Sequence, residues 1–178
     1  RLIKDTSTRV AALESGEVDI AELVPPLDMK RFDGSGKLST IVGTVSGLPY
    51  SAFLNTTVGH FQDIKVRQAF FYSLDRVKMT NDLFFGYAEA AFGPISSATP
   101  SYWKGNEDYY QYDTAKAESL LEEAGWKMGS GGIREKNGEA LSIFFPCLLE
   151  PDTCIAIQGY AKKVGFDVNV EVVVKARQ

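Results

Sequence analysis

Histidine is almost missing from this sequence, and that closes one route at once. His60 stands alone, with no second His and no Cys or acid cluster at ligand spacing, so no zinc site is expected. Cysteine is scarce as well: only Cys147 and Cys154 occur, around Glu150-Pro151-Asp152. A disulfide across that loop is sterically possible, but spacing does not set its geometry, and the plainer reading is two free thiols. No apolar run is long enough to span a bilayer. Basic charge is in deficit, 19 Lys and Arg against 23 Asp and Glu for a net −4, with no basic stripe. That balance argues against a nucleic-acid partner.

Reactive constellations are lacking too. Gly129-Ser130-Gly131-Gly132 has the composition of a phosphate loop but no Gly-Lys-Ser/Thr ending and no helix behind it, so it reads as the entry to a hairpin. Ser46-Gly47 does not complete a Gly-x-Ser-x-Gly elbow. Glu107-Asp108, Glu122-Glu123 and Glu135 read as solvated acids and not as a paired general acid and base. Asn55-Thr56-Thr57 matches a glycosylation sequon, a frequent chance match that carries no argument. The expectation is a non-enzyme with no catalytic residue, no metal and no cofactor. The sequence opens on Arg1-Leu2-Ile3 with no initiating Met or signal-like segment, and is expected to be an excised piece, 1–178 forming a single, incomplete domain.

What is present is a repeated grammar of caps, stripes and glycines. Asp63 is placed to cap a helix over Asp63–Leu74, with Val66, Ala69, Phe70, Ser73, Leu74 and Val77 on one stripe and Lys65, Arg67, Gln68 and Asp75 opposite. Asp5 or Thr6 caps a helix ending at Gly16. Asp113 caps one that ends at Gly125 with Trp126 following, and the helix lined by Ile155, Ala156, Tyr160 and Val164 ends at Gly165 before Phe166. Glycine suits the left-handed position after a helix, and an apolar residue just beyond folds back on the last turn. With strands expected at Val18–Ile20, Leu38–Val45, Tyr50–Asn55 and Val168–Val174, this predicts an α/β chain with helices packed on a mixed sheet. Pro25-Pro26 breaks the chain ahead of a short helix at Asp28–Phe32, and Asn137-Gly138 predicts a type I′ hairpin between Ile133–Lys136 and Ala140–Phe145.

Aromatic residues crowd the middle: Tyr50, Phe53, Phe84, Phe85, Tyr87, Phe92, Tyr102, Trp103, Tyr109, Tyr110 and Tyr112. Most are expected in the core. Tyr102-Trp103 follows Pro100 in a long Gly- and Pro-rich segment, Gly86–Tyr112, and large rings in such a loop read as a recognition surface or a lobe interface.

Five stretches together resemble a known family. Thr8-Arg9-Val10-Ala11-Ala12-Leu13-Glu14-Ser15-Gly16-Glu17-Val18-Asp19-Ile20 is similar to the opening of the second lobe of family 5 extracellular solute-binding proteins, the peptide- and nickel-type receptors of ABC importers. Matches then follow in the family's order: Val66-Arg67-Gln68-Ala69 with Leu74-Asp75-Arg76; Gly86 leading to Gly93-Pro94; Tyr112-Asp113 with Ala117, Leu120-Leu121 and Ala124-Gly125-Trp126; and Gln158 with Lys163-Val164-Gly165-Phe166-Asp167-Val168. The resemblance implies one lobe of a bilobed, type II (cluster C) periplasmic-binding-protein-like fold that closes on a solute and docks on a permease. It implies an extracytoplasmic location, in the periplasm or at the surface of a Gram-positive cell, with the membrane reached only through the permease or a lipid anchor. By position, its ligand-facing parts fall on Tyr50, Phe53 and Asn55, on Phe92 and Trp103, and on Pro146, Leu149 and Glu150. The acidic residue with which peptide-binding relatives meet a ligand's amino group aligns outside this chain. The loop at Leu149-Glu150 carries no Lys or Arg, which counts against a simple dipeptide. A sensor or protein-interaction version of the same lobe, and an enzyme completed by residues elsewhere, are the other readings.

Overall fold

A computed structural model describes residues 1–43, 46–148 and 150–173 of the chain. In chain order its helices are α1 (Thr6–Glu14), α2 (Pro26–Ser35), α3 (Ile64–Tyr72), α4 (Arg76–Phe84), α5 (Thr114–Glu123) and α6 (Pro151–Lys162). The strands are β1 (Lys127–Met128), β2 (Arg134–Lys136), β3 (Glu139–Ala140), β4 (Ser142–Cys147) and β5 (Asp167–Val172). Short 3-10 turns occupy His60–Gln62 and Lys104–Asp108. The backbone gathers into two compact units, one of Arg1–Thr44 with Thr80–Glu89, the other of Val45–Met79 with Ala90–Gln178.

The expected caps form. Asp5 accepts from the Thr8 amide at 2.8 Å, Asp63 from Lys65 at 2.8 Å and Asp113 from Lys116 at 2.8 Å, each satisfying an orphan donor of its helix. Pro26 opens α2 at a position where its missing N–H costs nothing. In the first unit Val10, Ala12 and Phe32 are buried. The core of the second is larger. α3 packs on α5 and α6 on β5, and Phe61, Phe70 and Phe166 meet edge to face at 5.3 and 5.4 Å.

β4 and β5 run parallel with α6 as their crossover, a βαβ unit, while β1, β2 and β3 form an antiparallel meander. The α/β class therefore stands, with two small sheets in place of one. Asn137 and Gly138 both take positive φ, 53° and 83°, as a type I′ turn requires. Gly129–Gly132 enters the β1–β2 hairpin, the Gly129 amide bonding the Ile133 carbonyl at 2.9 Å.

Several expectations are corrected. Tyr50–Asn55 and Val18–Ile20 are irregular and not strands, as is the described part of the Leu38–Val45 stretch, because alternation without a neighbouring ladder gives the backbone nothing to pair with. The stripe behind Asp63 stops short of Val77, which is about half exposed at 48%: α3 ends at Tyr72 and Val77 belongs to α4. Cys147 and Cys154 are not free thiols. They form a disulfide that joins the end of β4 to the first turn of α6, and both are buried. Arg67, on the polar face of α3, donates to the carbonyls of Phe61 and Gln62 at 2.5 and 3.1 Å.

One buried charge organises the second unit. Arg134 lies at the start of β2 with its side chain only 4% exposed. Its backbone amide donates to Gly165 and its Nε to the Val164 carbonyl, both at 2.8 Å. Its Nη1 donates to the Trp126 carbonyl at 2.8 Å and to the Glu122 carboxylate. One guanidinium thus satisfies a carbonyl at each helix–glycine junction, Trp126 just after Gly125 and Val164 just before Gly165. Gly165, at φ 99°, is required there: a Cβ would stand 2.6 Å from Arg134 Cγ. Lys136 adds a bond from Nζ to the Ala124 carbonyl at 2.8 Å.

Candidate functional site

The segments expected to face a ligand all belong to the second unit, where two sets of loops carry them. The first set is a network of irregular segments. Gly47 is tied to the loop beyond α4: its carbonyl accepts from the Ser96 amide at 2.8 Å, and its amide donates to Thr99 Oγ1 at 3.2 Å. The Thr99 carbonyl in turn accepts from Tyr102 at 2.9 Å. The segment bearing Tyr50, Phe53 and Asn55 is thus anchored to the loop bearing Trp103.

Aromatic rings in this network are not core. None of the eleven rings crowding the middle of the sequence reaches full burial, contrary to expectation; apart from Phe84 at the end of α4 they sit on irregular backbone, which cannot be taken out of water without orphaning its polar groups. Phe53 is 92% exposed and Trp103 61%. Trp103 is nonetheless held. Its indole packs against Gly105, where a Cβ would stand 2.3 Å from Cζ2, and it meets the Tyr109 ring at 6.1 Å. Asn55 turns inward on its own chain, its Oδ1 accepting from the Thr57 amide and hydroxyl at 2.9 and 2.8 Å. Phe92 is half-buried beneath the Arg76 guanidinium, 4.5 Å from its ring centre. Burial lowers the pKa of Arg76.

The second set lies at the carboxyl end of β4. In open α/β sheets, ligands sit beyond the carboxyl ends of strands. Here that end carries Pro146, exposed, then exposed Leu148 and Glu150, with Glu150 in the left-handed region at φ 52°. Leu149 lies outside the described residues. The buried Cys147–Cys154 disulfide closes this loop at its base. Phe144, also on β4, is 66% exposed. Among the described residues, no hydrogen bond or ring contact joins Pro146 or Glu150 to the Tyr50–Asn55 and Trp103 network. The candidate residues thus form two clusters.

A chain with this order of elements can be compared with known proteins. The sequence pattern of the bacterial extracellular solute-binding proteins, family 5 (middle part), matches residues 1–178. The chain belongs to that family. This family 5 chain is 29% identical to the oligopeptide-binding protein AppA of Bacillus subtilis over 97% of its own length and 33% of AppA. It is 30% identical to the nickel-binding periplasmic protein of Escherichia coli over 95% of its length and 34% of that protein. The structure of NikA from Brucella suis in complex with Fe(III)-EDTA superposes with a TM-score of 0.81 at 28% identity, over 96% of this chain and 36% of that one. The family 5 chain thus spans about a third of the length of the curated relatives it matches. These relatives are named as binding proteins, not enzymes.

Sequence reasoning overlooked two residues of this family 5 chain that shape the candidate loops. Arg76 was visible only as part of a Leu-Asp-Arg match; nothing local says that its guanidinium reaches carbonyls 33 and 34 positions away. Gly105 is a small residue two positions from Trp103, and only the packed ring explains it.

Proposed function

We propose that this chain supplies solute-gripping surface to an extracytoplasmic, two-lobed receptor of an ABC importer, in which 1–178 is an incomplete lobe and the solute is a peptide. No bond is made or broken; ligand is held by stacking and a few polar groups, and closure of the other lobe excludes water. The observation that carries this reading is the family match along the whole chain, joined to held but exposed rings on loops, where a catalytic enzyme would show a converging acid, base or nucleophile. AppA, an oligopeptide binder by name, supports the peptide class. The Cys147–Cys154 disulfide supports an oxidising, extracytoplasmic location. In this reading Tyr50, Phe53 and Trp103 stack on apolar parts of the solute, with Asn55 and Phe92 shaping the loops behind them. Pro146, Leu149 and Glu150 edge the site from β4. The permease is the partner, and the membrane is reached through it or through a lipid anchor.

The test is a thermal-shift screen of the full-length protein against peptides, metal chelates and oligosaccharides. A solute at about 100 times its Kd stabilises by about 2.7 kcal/mol through mass action. Peptides alone raising the melting temperature is the expected result. A response confined to chelates or to sugars overturns the peptide class, and turnover of any probe overturns the non-catalytic reading.

A further inference from the structure

Arg76, at the first position of α4, reaches both ends of one loop. Its Nη2 donates to the carbonyls of Tyr110 at 2.7 Å and Tyr109 at 3.3 Å, and its Nη1 to the carbonyl of Ala91 at 3.3 Å. Its planar group lies over the Phe92 ring. Ala91 and Phe92 precede the segment 93–108, and Tyr109 and Tyr110 follow it. One guanidinium therefore closes the neck of a surface loop of the size and closed-end form known as an Ω-loop. Trp103 is carried inside that loop, its indole braced by Gly105 below and by the ring of Tyr109, a neck residue. Tyr110 takes φ 52°, a conformation that a bulky residue holds only when its surroundings impose it.

We propose that Arg76 is a positioning residue for solute recognition: it fixes the neck of the 93–108 loop and, through Tyr109, the orientation in which Trp103 is presented. This rests on the reading of Trp103 as solute-facing. The role is geometric, because the partners of Arg76 among the described residues are main-chain carbonyls and a ring. A planar fork that bridges three carbonyls is not replaced by a lysine ammonium, which carries the same charge without the fork. Loss of Arg76 leaves Trp103 present but no longer preorganised, and binding then has to order the loop as well as fill the site.

The test is fluorine NMR of the full-length protein labelled with 5-fluorotryptophan, free of solute, with the Trp103 and Trp126 resonances assigned by Trp103→Phe and Trp126→Phe. Trp126 is buried and held by Arg134, outside the loop, and reports that the fold is intact. Arg76→Met and Arg76→Lys are both expected to shift or broaden the Trp103 resonance and leave that of Trp126 in place. An unmoved Trp103 signal in either folded variant overturns the proposal. So does a Trp103 signal that moves only together with that of Trp126 in both variants, since Arg76 would then be a general stabiliser. A second arm titrates the tripeptide Ala-Phe-Ala calorimetrically, with at least a fivefold weaker Kd expected for both variants and unchanged affinity counting against the proposal. If wild type binds no tripeptide, the peptide reading is at fault, and the fluorine arm decides the role of Arg76 on its own.

Discussion

Replacing Arg134 by Met should cost far more stability than its single ion pair suggests. The pair with Glu122 is the lesser part, because Glu122 is 42% exposed and water screens it. The carbonyls matter more. Arg134→Met removes the donors to Val164 and Trp126, both 2.8 Å bonds made by a side chain that is 4% exposed. A buried acceptor stripped of its donor costs about 1–3 kcal/mol. Methionine refills much of the aliphatic stem, so the packing loss is small. The two stripped acceptors together give about 2–6 kcal/mol, which for a cooperative unit of this size is a fall in melting temperature on the order of 10 °C. Urea denaturation of both proteins at pH 7 reads the difference directly. Arg31→Met is the control: Arg31 pairs with Glu14 and Asp28 but is 52% exposed, so water screens both pairs and its loss should cost far less than that of Arg134. If Arg134→Met costs no more than Arg31→Met, the claim that one guanidinium satisfies both helix junctions is refuted.

Other outcomes follow from the same geometry. Cys147→Ala with Cys154→Ala opens a loop closed by a separation of 7 residues, and chain entropy puts the loss at about 2.5 kcal/mol, read by urea midpoints. Asp5 is held down at about 2 by hydrogen bonds from Ser7 and then Thr8, so its contribution is full above the ordinary Asp pKa and lost as pH falls towards 2. Asp5→Asn, which still caps, should flatten the acid limb of stability against pH in that window and leave neutral stability nearly unchanged. Glu122 is likewise lowered, by Lys127 first and Arg134 second, so its stabilisation is also lost on acidification. Lys127→Met should therefore shrink that acid dependence more than Arg134→Met does, measured as the slope of stability between neutral pH and pH 3.

How far the sequence could be read follows the range of the interactions. Caps and glycine junctions are set within four or five residues, and Asp5, Asp63, Asp113, Gly125 and Gly165 all take the expected roles. The Asn137-Gly138 turn is equally local. Strands are not: Tyr50–Asn55 alternates as a strand should, yet among the described residues no neighbour offers it a ladder, and Gly47 bonds to Ser96. The cysteines hung on whether β4 and α6 would bring them together, a tertiary matter that a spacing of seven leaves open. Nothing local marks Arg134 or Arg76 as structural, because their acceptors are remote carbonyls. At the candidate site, the exposure of Trp103 was legible from its Pro- and Gly-rich loop, whereas the exposure of Tyr109 and Tyr112, the brace of Trp103 on Gly105 and the anchoring of the Tyr50 segment to Thr99 required the fold.

Hydrogen exchange of the full-length protein, with and without a saturating oligopeptide, puts the central claim at risk most directly. The account predicts slowed exchange in 46–58, in 93–112 and at the β4–α6 connection 148–151, while amides of α5 stay unchanged. Peptide-induced protection that leaves all three segments untouched would contradict it.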